Sequence, residues 1–241
     1  MTEQSRPAFK RILLKISGEA MKGKSSYGLD YDAVQSVAEE IASLQRLGVQ
    51  TAVVIGGGNF IRGGEIAKLG IHRVQADYMG LLATVINGIA LLERLESLGA
   101  EARLLSAGIE LDAAEPFVSR RAQMHLEKGR IVILTGGTGN PLFTTDTCAA
   151  LRAAELGAEV VLKATKVDGI YDSDPKTNPD AKRIERLTYL DVLKMELKVM
   201  DAAAISLCYE NKLPIIVFNL FKPGNILRVV AGERIGSIVE A

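Results

Sequence analysis

The stretch RIVILTGGTGNPLFTTD, residues 130–146, decides the fold of this chain. Its residues 131–135 are apolar and β-branched and lie between a charge and glycines, which predicts a buried strand. A glycine loop, two threonines, an aspartate and a helical run, CAALRAAELGA, follow. The backbone N–H groups of such a loop and helix start favour an anion. The stretch therefore predicts either a phosphate-binding strand–loop–helix unit or a tight turn without a ligand.

The same arrangement occurs twice more, in RILLKISG from Arg11 and in TAVVIGGG from Thr51. Lys15 is unusual because it interrupts an apolar strand, where a lysine needs an anion or water at its ammonium group. It either reaches a phosphate or extends to water at a sheet edge. Arg62 follows the second loop and either clamps phosphate oxygens or is an ordinary surface arginine. Three such loops together favour a phosphorylated ligand.

The composition is that of an ordinary globular protein of 241 residues, 48% hydrophobic and 24% charged. Lys+Arg and Asp+Glu balance at 29 each, which makes the chain a poor candidate for binding nucleic acid, although this balance leaves room for local basic patches. Cys148 and Cys208 fit buried free thiols in a reducing compartment. The N-terminus lacks a signal-peptide apolar region, and no stretch approaches a membrane span of about 20 apolar residues. We expect a cytoplasmic, soluble protein that binds neither nucleic acid nor membrane.

Predicted strands and helices alternate along the chain. Helices are expected over residues 31–47, 77–98, 116–128, 190–194 and 201–211, and the chain is expected to close on a hairpin-like pair, ILRVVAG and GSIVEA. This alternation predicts an α/β fold, a three-layer αβα sandwich with a mostly parallel central sheet in one unit with two lobes. The helix over 77–98 is apolar on most faces, which predicts burial or contact with a partner subunit.

Ligands of such sheets bind beyond the carboxyl ends of the strands, so the glycine loops and the segment ATKVDGIYDSDP should converge. The chain has neither GxxxxGK[ST] nor a G-x-G-x-x-G that opens a βαβ unit. His72 and His125 have no Cys or acid at zinc-ligand spacing, and no nucleophile elbow is present. Phosphoryl transfer fits best, because it mainly requires positioning and neutralisation of charge.

Five motifs give a specific resemblance: KISGEA, VVIGGGNFIRG, TGGTGNPLFTTD, LKATKVDGIYDSDP and LKVMDAAA. Together they resemble the bacterial uridylate (UMP) kinases of the amino-acid kinase fold, from Lys10 to the C-terminus. The resemblance implies ATP-dependent phosphorylation of UMP to UDP in pyrimidine biosynthesis, with Mg²⁺ as cofactor. It also implies an N-terminal lobe that binds UMP and a C-terminal lobe that binds ATP.

The resemblance also implies roles for individual residues. Catalytic roles fall on Lys15, Arg62, Asp146 and Asp201. ATP would contact Lys15, Ile16, Ser17, Gly18, Gly58, Arg62, Thr165, Tyr171 and Asp174. UMP would contact Gly57, Asp77, Thr138, Gly139, Asn140, Pro141, Leu142, Phe143, Thr144 and Thr145, with Asp77 on the ribose hydroxyls. The metal ligands are not assigned.

The family further implies a homohexamer activated by GTP and inhibited by UTP. The corresponding GTP-responsive loop comprises Gly23, Lys24, Ser25, Ser26, Tyr27 and Gly28. Two other functions stay open at this point. One is a kinase on the same fold with a carboxylate or carbamate acceptor, and the other is a nucleotide sensor without catalysis. The first needs a site for an amino acid, and the second should lack the charged residues that this chain retains.

Overall fold

In the computed structural model, residues 7–61, 70–175, 177–197 and 199–241 are described, and Arg62 lies outside them. Eleven strands occur in this part of the chain. They are β1 Arg11–Ile16, β2 Gln50–Ile55, β3 Ala102–Ser106, β4 Glu115–Pro116, β5 Ile131–Thr135, β6 Val160–Thr165, β7 Ile170–Tyr171, β8 Arg183–Ile184, β9 Arg186–Thr188, β10 Ile215–Asn219 and β11 Ser237–Glu240. Seven α-helices accompany them in the same described residues. They are α1 Tyr31–Arg46, α2 Arg73–Ser97, α3 Ser119–Glu127, α4 Thr145–Leu156, α5 Tyr189–Lys194, α6 Ala202–Glu210 and α7 Asn225–Val230.

Nine strands form one sheet in the order β4-β3-β5-β2-β1-β6-β10-β11-β9. All neighbours in it are parallel except β10 and β11. Helices α1, α2 and α7 pack on one face, and α3, α4, α5 and α6 pack on the other. The predicted three-layer αβα sandwich with a mostly parallel sheet is therefore confirmed.

The alternation of side chains along β1 determines which face of the sheet each residue meets. Ile12, Leu14 and Ile16 lie in the core beneath α1, whereas Leu13 lies in the core beneath α4. The side chain of Lys15 lies on the same face of the sheet as that of Leu13, because the two residues are two positions apart in the strand. The strand therefore directs its lysine towards the start of α4.

Three elements differ from the expectation. Helix α2 begins at Arg73, with His72 as its N-cap, so Asp77 lies one turn inside the helix and not at its start. Helix α3 begins at Ser119, because the chain at Pro116 still pairs with β3. The expected closing hairpin is wrong: ILRVV of its first half belongs to α7, and β11 pairs with β10 and β9.

Helix α2 bears on the expectation that the chain has no membrane span. By length and composition it could cross a membrane, because an 18-residue segment of it has a mean hydropathy of 1.3. Of that segment, 44% is buried inside the protein. The buried side packs on the sheet: a Cβ at Gly88 would lie 2.4 Å from Thr135 Cγ2 and 2.8 Å from Leu104 Cδ1. A core helix meets the same criteria, and this helix is packed as one.

Both cysteines are free and buried, as expected. Burial raises the pKa of the Cys148 thiol to about 11 and that of Cys208 to about 12. Both thiols therefore stay protonated at neutral pH and serve as small apolar side chains of the core.

Candidate active site

The carboxyl ends of β5, β2, β1 and β6 lie side by side in the sheet, so the loops that follow them converge as expected. Gly18 and the loop after β2 are in direct contact. A Cβ at Gly18 would lie 2.6 Å from the Gly56 carbonyl oxygen and 2.9 Å from the Gly58 nitrogen. Only glycine fits at this position, because a larger residue would separate the two loops.

Lys15, Asp146 and Lys163 form a charged cluster at the same edge of the sheet. Lys15 Nζ lies 2.7 Å from Asp146 Oδ1, and Lys163 Nζ lies 2.8 Å from Asp146 Oδ2. Lys163 also donates a hydrogen bond to the Val199 carbonyl oxygen. Two lysines therefore share one carboxylate, and the cluster carries a net positive charge when all three groups are ionised.

Burial and charge set the protonation of this Lys15–Asp146–Lys163 cluster. Burial alone would raise the pKa of the Asp146 carboxyl, but the charges of Lys15 and Lys163 outweigh it and lower the pKa below its ordinary value of 3.8. The pKa of the Lys163 ammonium group is lowered, mainly by burial and also by the charge of Lys15, although the charge of Asp146 opposes the change. An anion placed beside the cluster would stabilise both ammonium groups.

Lys163 is a site residue that the sequence interpretation missed. It is the register partner of Lys15 across β1 and β6, which places both side chains on the same face of the sheet. The signal is present in the sequence, because EVVLK interrupts an apolar strand with a lysine as KRILLK does. A lysine in this position needs an anion or water at its ammonium group, as Lys15 does.

Asp201 joins the N-termini of two helices. As N-cap of α6, it accepts a hydrogen bond of 2.9 Å from the Ala204 nitrogen. It also accepts hydrogen bonds from the hydroxyls of Thr144 and Thr147 at the start of α4. Thr144 in turn caps α4 and accepts a hydrogen bond of 3.0 Å from the Asp146 nitrogen. Asp201 thus fixes the helix turn that carries Asp146.

A cavity of about 580 Å³ opens beside the Lys15–Asp146–Lys163 cluster. It brings together three of the residues expected to contact ATP, Thr165, Tyr171 and Asp174, and Lys163 also lines it. Ile16, also expected there, has its side chain fully buried in the core and its carbonyl oxygen bonded to the Gly56 nitrogen. Because Lys163 belongs to both, the cavity is continuous with the charged cluster.

The loop of residues 136–145 lies on the other side of the cluster. Its first amide, Gly136 N, donates a hydrogen bond of 2.9 Å to Thr84 Oγ1 of α2. The Leu142 nitrogen donates one of 3.0 Å to Asp77 Oδ2, and Arg73 Nε also bonds to this carboxylate. Helix α2 thus holds the loop at two points.

Gly57 and the exposed tip of the 136–145 loop complete this side of the site. A Cβ at Gly57 would lie 2.6 Å from the Gly80 carbonyl oxygen, so the loop after β2 packs directly on α2. Leu142 has φ +70° and is exposed, as is Phe143. Of the residues expected to contact UMP, the structure places Gly57, Asp77 and Leu142 around one helix. The others expected there lie along the loop and, for the last of them, at the first residue of α4: Thr138, Gly139, Asn140, Pro141, Phe143, Thr144 and Thr145.

The loop of residues 23–28 touches the loop after β2 but lies outside the charged cluster. Gly28 N donates a hydrogen bond of 3.0 Å to the Asn59 carbonyl oxygen, and the rings of Tyr27 and Phe60 meet edge to face at 5.4 Å. Gly23 and Lys24 line a second cavity of about 540 Å³. The loop therefore lies between the loop after β2 and this second cavity.

The described residues contain no group of three or more His, Cys, Asp or Glu side chains that could hold a metal ion. Asp146 lies at the cluster, but both of its oxygens already face lysines. Mg²⁺ usually keeps several waters and binds through phosphates and one or two carboxylates. A Mg²⁺ ion at this site would therefore be held mainly by nucleotide phosphates and water.

Comparison with known proteins agrees with this geometry. Residues 10–219 match the Amino acid kinase family. The UMP kinase from Bacillus anthracis is 39% identical, with a TM-score of 0.93, and the match covers 98% of this chain and 97% of that one. The UMP kinase from Ureaplasma parvum is also 39% identical, with a TM-score of 0.90, covering 96% of this chain and 99% of that one.

A more distant structure has the same fold. The uridylate kinase from Archaeoglobus fulgidus is 27% identical, with a TM-score of 0.73, and the match covers 95% of this chain and 99% of that one. The family match spans most of the chain, and two relatives at 39% identity span nearly all of it. The chain therefore belongs to the amino acid kinase family, among the UMP kinases.

Proposed function

We propose that this protein transfers the γ-phosphoryl group of ATP to UMP and so forms UDP for pyrimidine nucleotide biosynthesis. The observation that carries the proposal is the position of the Lys15–Asp146–Lys163 cluster. It lies between the cavity of about 580 Å³ and the 136–145 loop, where the phosphates of a donor and of an acceptor would meet. The similarity to UMP kinases supports uridylate as the acceptor.

Charge neutralisation is the main catalytic task of this site. The acceptor is a phosphate, which is already anionic at neutral pH, so no general base has to remove a proton from it. Two anions must instead approach each other. Lys15 and Lys163 lower this repulsion, and Asp146 holds their ammonium groups in place. The N-terminus of α4 adds backbone N–H groups that favour negative charge.

The donor and acceptor occupy opposite ends of the site in this proposal. ATP places its adenosine against Thr165, Tyr171 and Asp174 and its phosphates, with Mg²⁺, towards Ser17, Gly18 and Gly58. UMP lies along the 136–145 loop, with its ribose near Asp77. The half of the sheet that contains β2 and β5 thus forms the UMP lobe, and the half with β6 and β10 forms the ATP lobe. Arg62 remains a proposed clamp on the transferred group.

We also propose that the protein works as a cytoplasmic homo-oligomer, a hexamer built from dimers. Helix α2 supports this, because it exposes an apolar stripe to solvent. The stripe consists of Tyr78, Leu82, Ile86 and Ile89. Regulation by GTP as activator and UTP as inhibitor follows from the family resemblance, with the 23–28 loop as the proposed GTP-responsive segment.

Formation of ADP in a coupled assay tests the proposed reaction. ATP and Mg²⁺ are supplied with UMP, CMP, dUMP, acetylglutamate or aspartate in parallel. We expect turnover with UMP well above that with the amino-acid acceptors. Turnover with an amino acid alone would keep the fold but overturn the assignment of the 136–145 loop. ATP binding without turnover on any acceptor would indicate a nucleotide sensor.

A further inference from the structure

Two buried asparagines lie behind the loop that follows β2. Asn59 is 3% exposed and Asn87, on α2, is 0% exposed. Their side-chain amides bond to each other in both directions: Asn59 Nδ2 donates to Asn87 Oδ1 at 2.9 Å, and Asn87 Nδ2 donates to Asn59 Oδ1 at 2.7 Å. Buried amides are retained only when they are hydrogen-bonded, and this pair satisfies itself.

Each amide also uses its second N–H on a backbone carbonyl of a different loop. Asn87 Nδ2 donates to the Gly56 carbonyl oxygen at 2.6 Å, in the loop after β2. Asn59 Nδ2 donates to the Gly28 carbonyl oxygen at 2.9 Å, at the end of the 23–28 loop. The Gly28 nitrogen bonds back to the Asn59 carbonyl oxygen at 3.0 Å. The pair therefore ties two loops to one helix.

The turn after β1 rests on the same pair. A Cβ at Gly18 would lie 2.5 Å from Asn59 Oδ1, so the Ser17-Gly18 turn packs against this amide. Asn59 is also adjacent in sequence to Gly58, which faces open space: a Cβ there would meet no atom within 4 Å. A shift of the amide would move both phosphate-facing turns together.

We propose that Asn59 and Asn87 are positioning residues, which hold the loop after β2 in register with the Ser17-Gly18 turn and connect it to the 23–28 loop. The proposal rests on the proposed phosphoryl transfer. Transfer depends on the geometry of the donor and acceptor, and misplacement by about 1 Å can cost about 100-fold in rate. Because the pair is buried behind the turns, its effect must pass through the glycines that face the substrates.

Asn87→Ala tests the proposal against a matched control, Leu91→Ala. Leu91 is also fully buried on α2, one turn further along, but it packs in the apolar core and has no polar group to bond to a loop. Both variants are compared with the wild type at a temperature well below their melting temperatures. The two readouts are kcat with saturating UMP and ATP, and hydrogen exchange of the amides in residues 22–30 and 50–61.

We expect Asn87→Ala to lower kcat by about 10-fold or more and to accelerate exchange at Gly28 by about 10-fold or more. The Gly28 N–H bonds to the carbonyl oxygen of Asn59, and Asn59 loses its partner when Asn87 is removed. Leu91→Ala should lower the melting temperature while leaving kcat and Gly28 exchange close to wild type. Equal behaviour of the two variants, or faster exchange without a loss of kcat, would overturn the proposal. If Asn87→Ala does not fold, Asn87→Ser is measured in the same way.

The exchange readout separates this proposal from the proposed function. A wild-type protein without turnover on UMP would refute the proposed reaction. Exchange at Gly28 would still show whether the asparagine pair connects the loops. Unchanged exchange in Asn87→Ala, in protein that does phosphorylate UMP, would refute the connection alone.

Discussion

At the scale of single residues, Lys163 is the most informative side chain to change. Lys163→Met removes one of the two ammonium groups of the cluster but keeps most of the length of the side chain. We expect kcat to fall by about 100-fold or more, because a fixed donor to developing charge in a buried site contributes an effect of this size. Steady-state kinetics with UMP and ATP check this.

Lys128→Met is the control for Lys163→Met. Lys128 is exposed at the end of α3 and precedes the amino end of β5, whereas the active-site loops follow the carboxyl ends of the strands. Its replacement should leave kcat unchanged. Wild-type turnover in Lys163→Met would exclude Lys163 from the reaction.

Asp146 makes stability depend on pH in the acid range. Its pKa in the folded protein is lower than the ordinary 3.8, so the unfolded chain binds the proton more readily. The stabilisation from ionised Asp146 is therefore fully present above the unfolded pKa and is lost as the pH falls through the folded pKa. Removing one partner of a buried ion pair costs about 3–5 kcal/mol.

Asp146→Asn should accordingly be less stable than wild type at pH 7, and the difference should narrow below about pH 4. Denaturant unfolding of both proteins at pH 7 and at acid pH measures the difference. A gap that stays constant with pH would contradict an ionised, lysine-paired Asp146.

Single residues of the site could be predicted from the sequence only where a local pattern marks them. A lysine in an apolar strand indicates an anion near Lys15, and in the folded protein Asp146 occupies that position. Lys163 has the same pattern at the end of EVVL. The pairing of the two lysines depends on the register of β1 and β6, which no local pattern contains.

At the scale of elements, the turn after β5 depends on Gly136. This residue has φ +72°, and a Cβ there would lie 2.2 Å from the Ala107 carbonyl oxygen. Gly136→Ala should therefore displace the 136–145 loop, destabilise the protein by more than about 1–2 kcal/mol, and raise the KM for UMP. Thermal unfolding and kinetics measure these effects.

Gly129→Ala provides the matched control. Gly129 also has a positive φ, +74°, but nothing lies within 4 Å of a Cβ built there. It should show the cost of backbone strain alone, with normal kinetics. Identical kinetics in the two variants would mean that the Gly136 turn does not position the acceptor.

The element boundaries show where local patterns are insufficient. Pro116 is of a residue type that often begins helices, yet it pairs with β3, and the helix begins three residues later. The run ILRVV is too short for its periodicity to separate strand from helix, and it forms part of α7. In contrast, β5 has the predicted bounds, 131–135, because a charge and glycines limit its apolar run.

At the scale of the whole molecule, the exposed stripe on α2 predicts assembly. Ile86→Asp places a charge within it, and burying an unpaired charge in an interface is unfavourable. We expect the Ile86→Asp variant to form a smaller assembly than the wild type in analytical ultracentrifugation. Leu190→Asp, at a similarly exposed apolar residue of α5, should leave the assembly unchanged. An unchanged assembly in Ile86→Asp would exclude this stripe as the interface.

The layers of the molecule could be predicted from the sequence, but the full order of its strands could not. Alternating strands and helices indicate a parallel sheet covered on both faces, and glycine loops after several strands indicate one binding edge. The edge positions of β4 and β9 and the antiparallel β11 depend on contacts between distant parts of the chain. Such contacts leave no local pattern.

The most direct test of phosphoryl transfer follows a radioactive label from the γ-phosphate of ATP. The purified protein is incubated with labelled ATP, Mg²⁺ and UMP, and the products are separated. We expect the label to appear in UDP, in step with the ADP formed. Label released only as inorganic phosphate, or transferred to an amino acid and not to UMP, would contradict phosphoryl transfer to UMP.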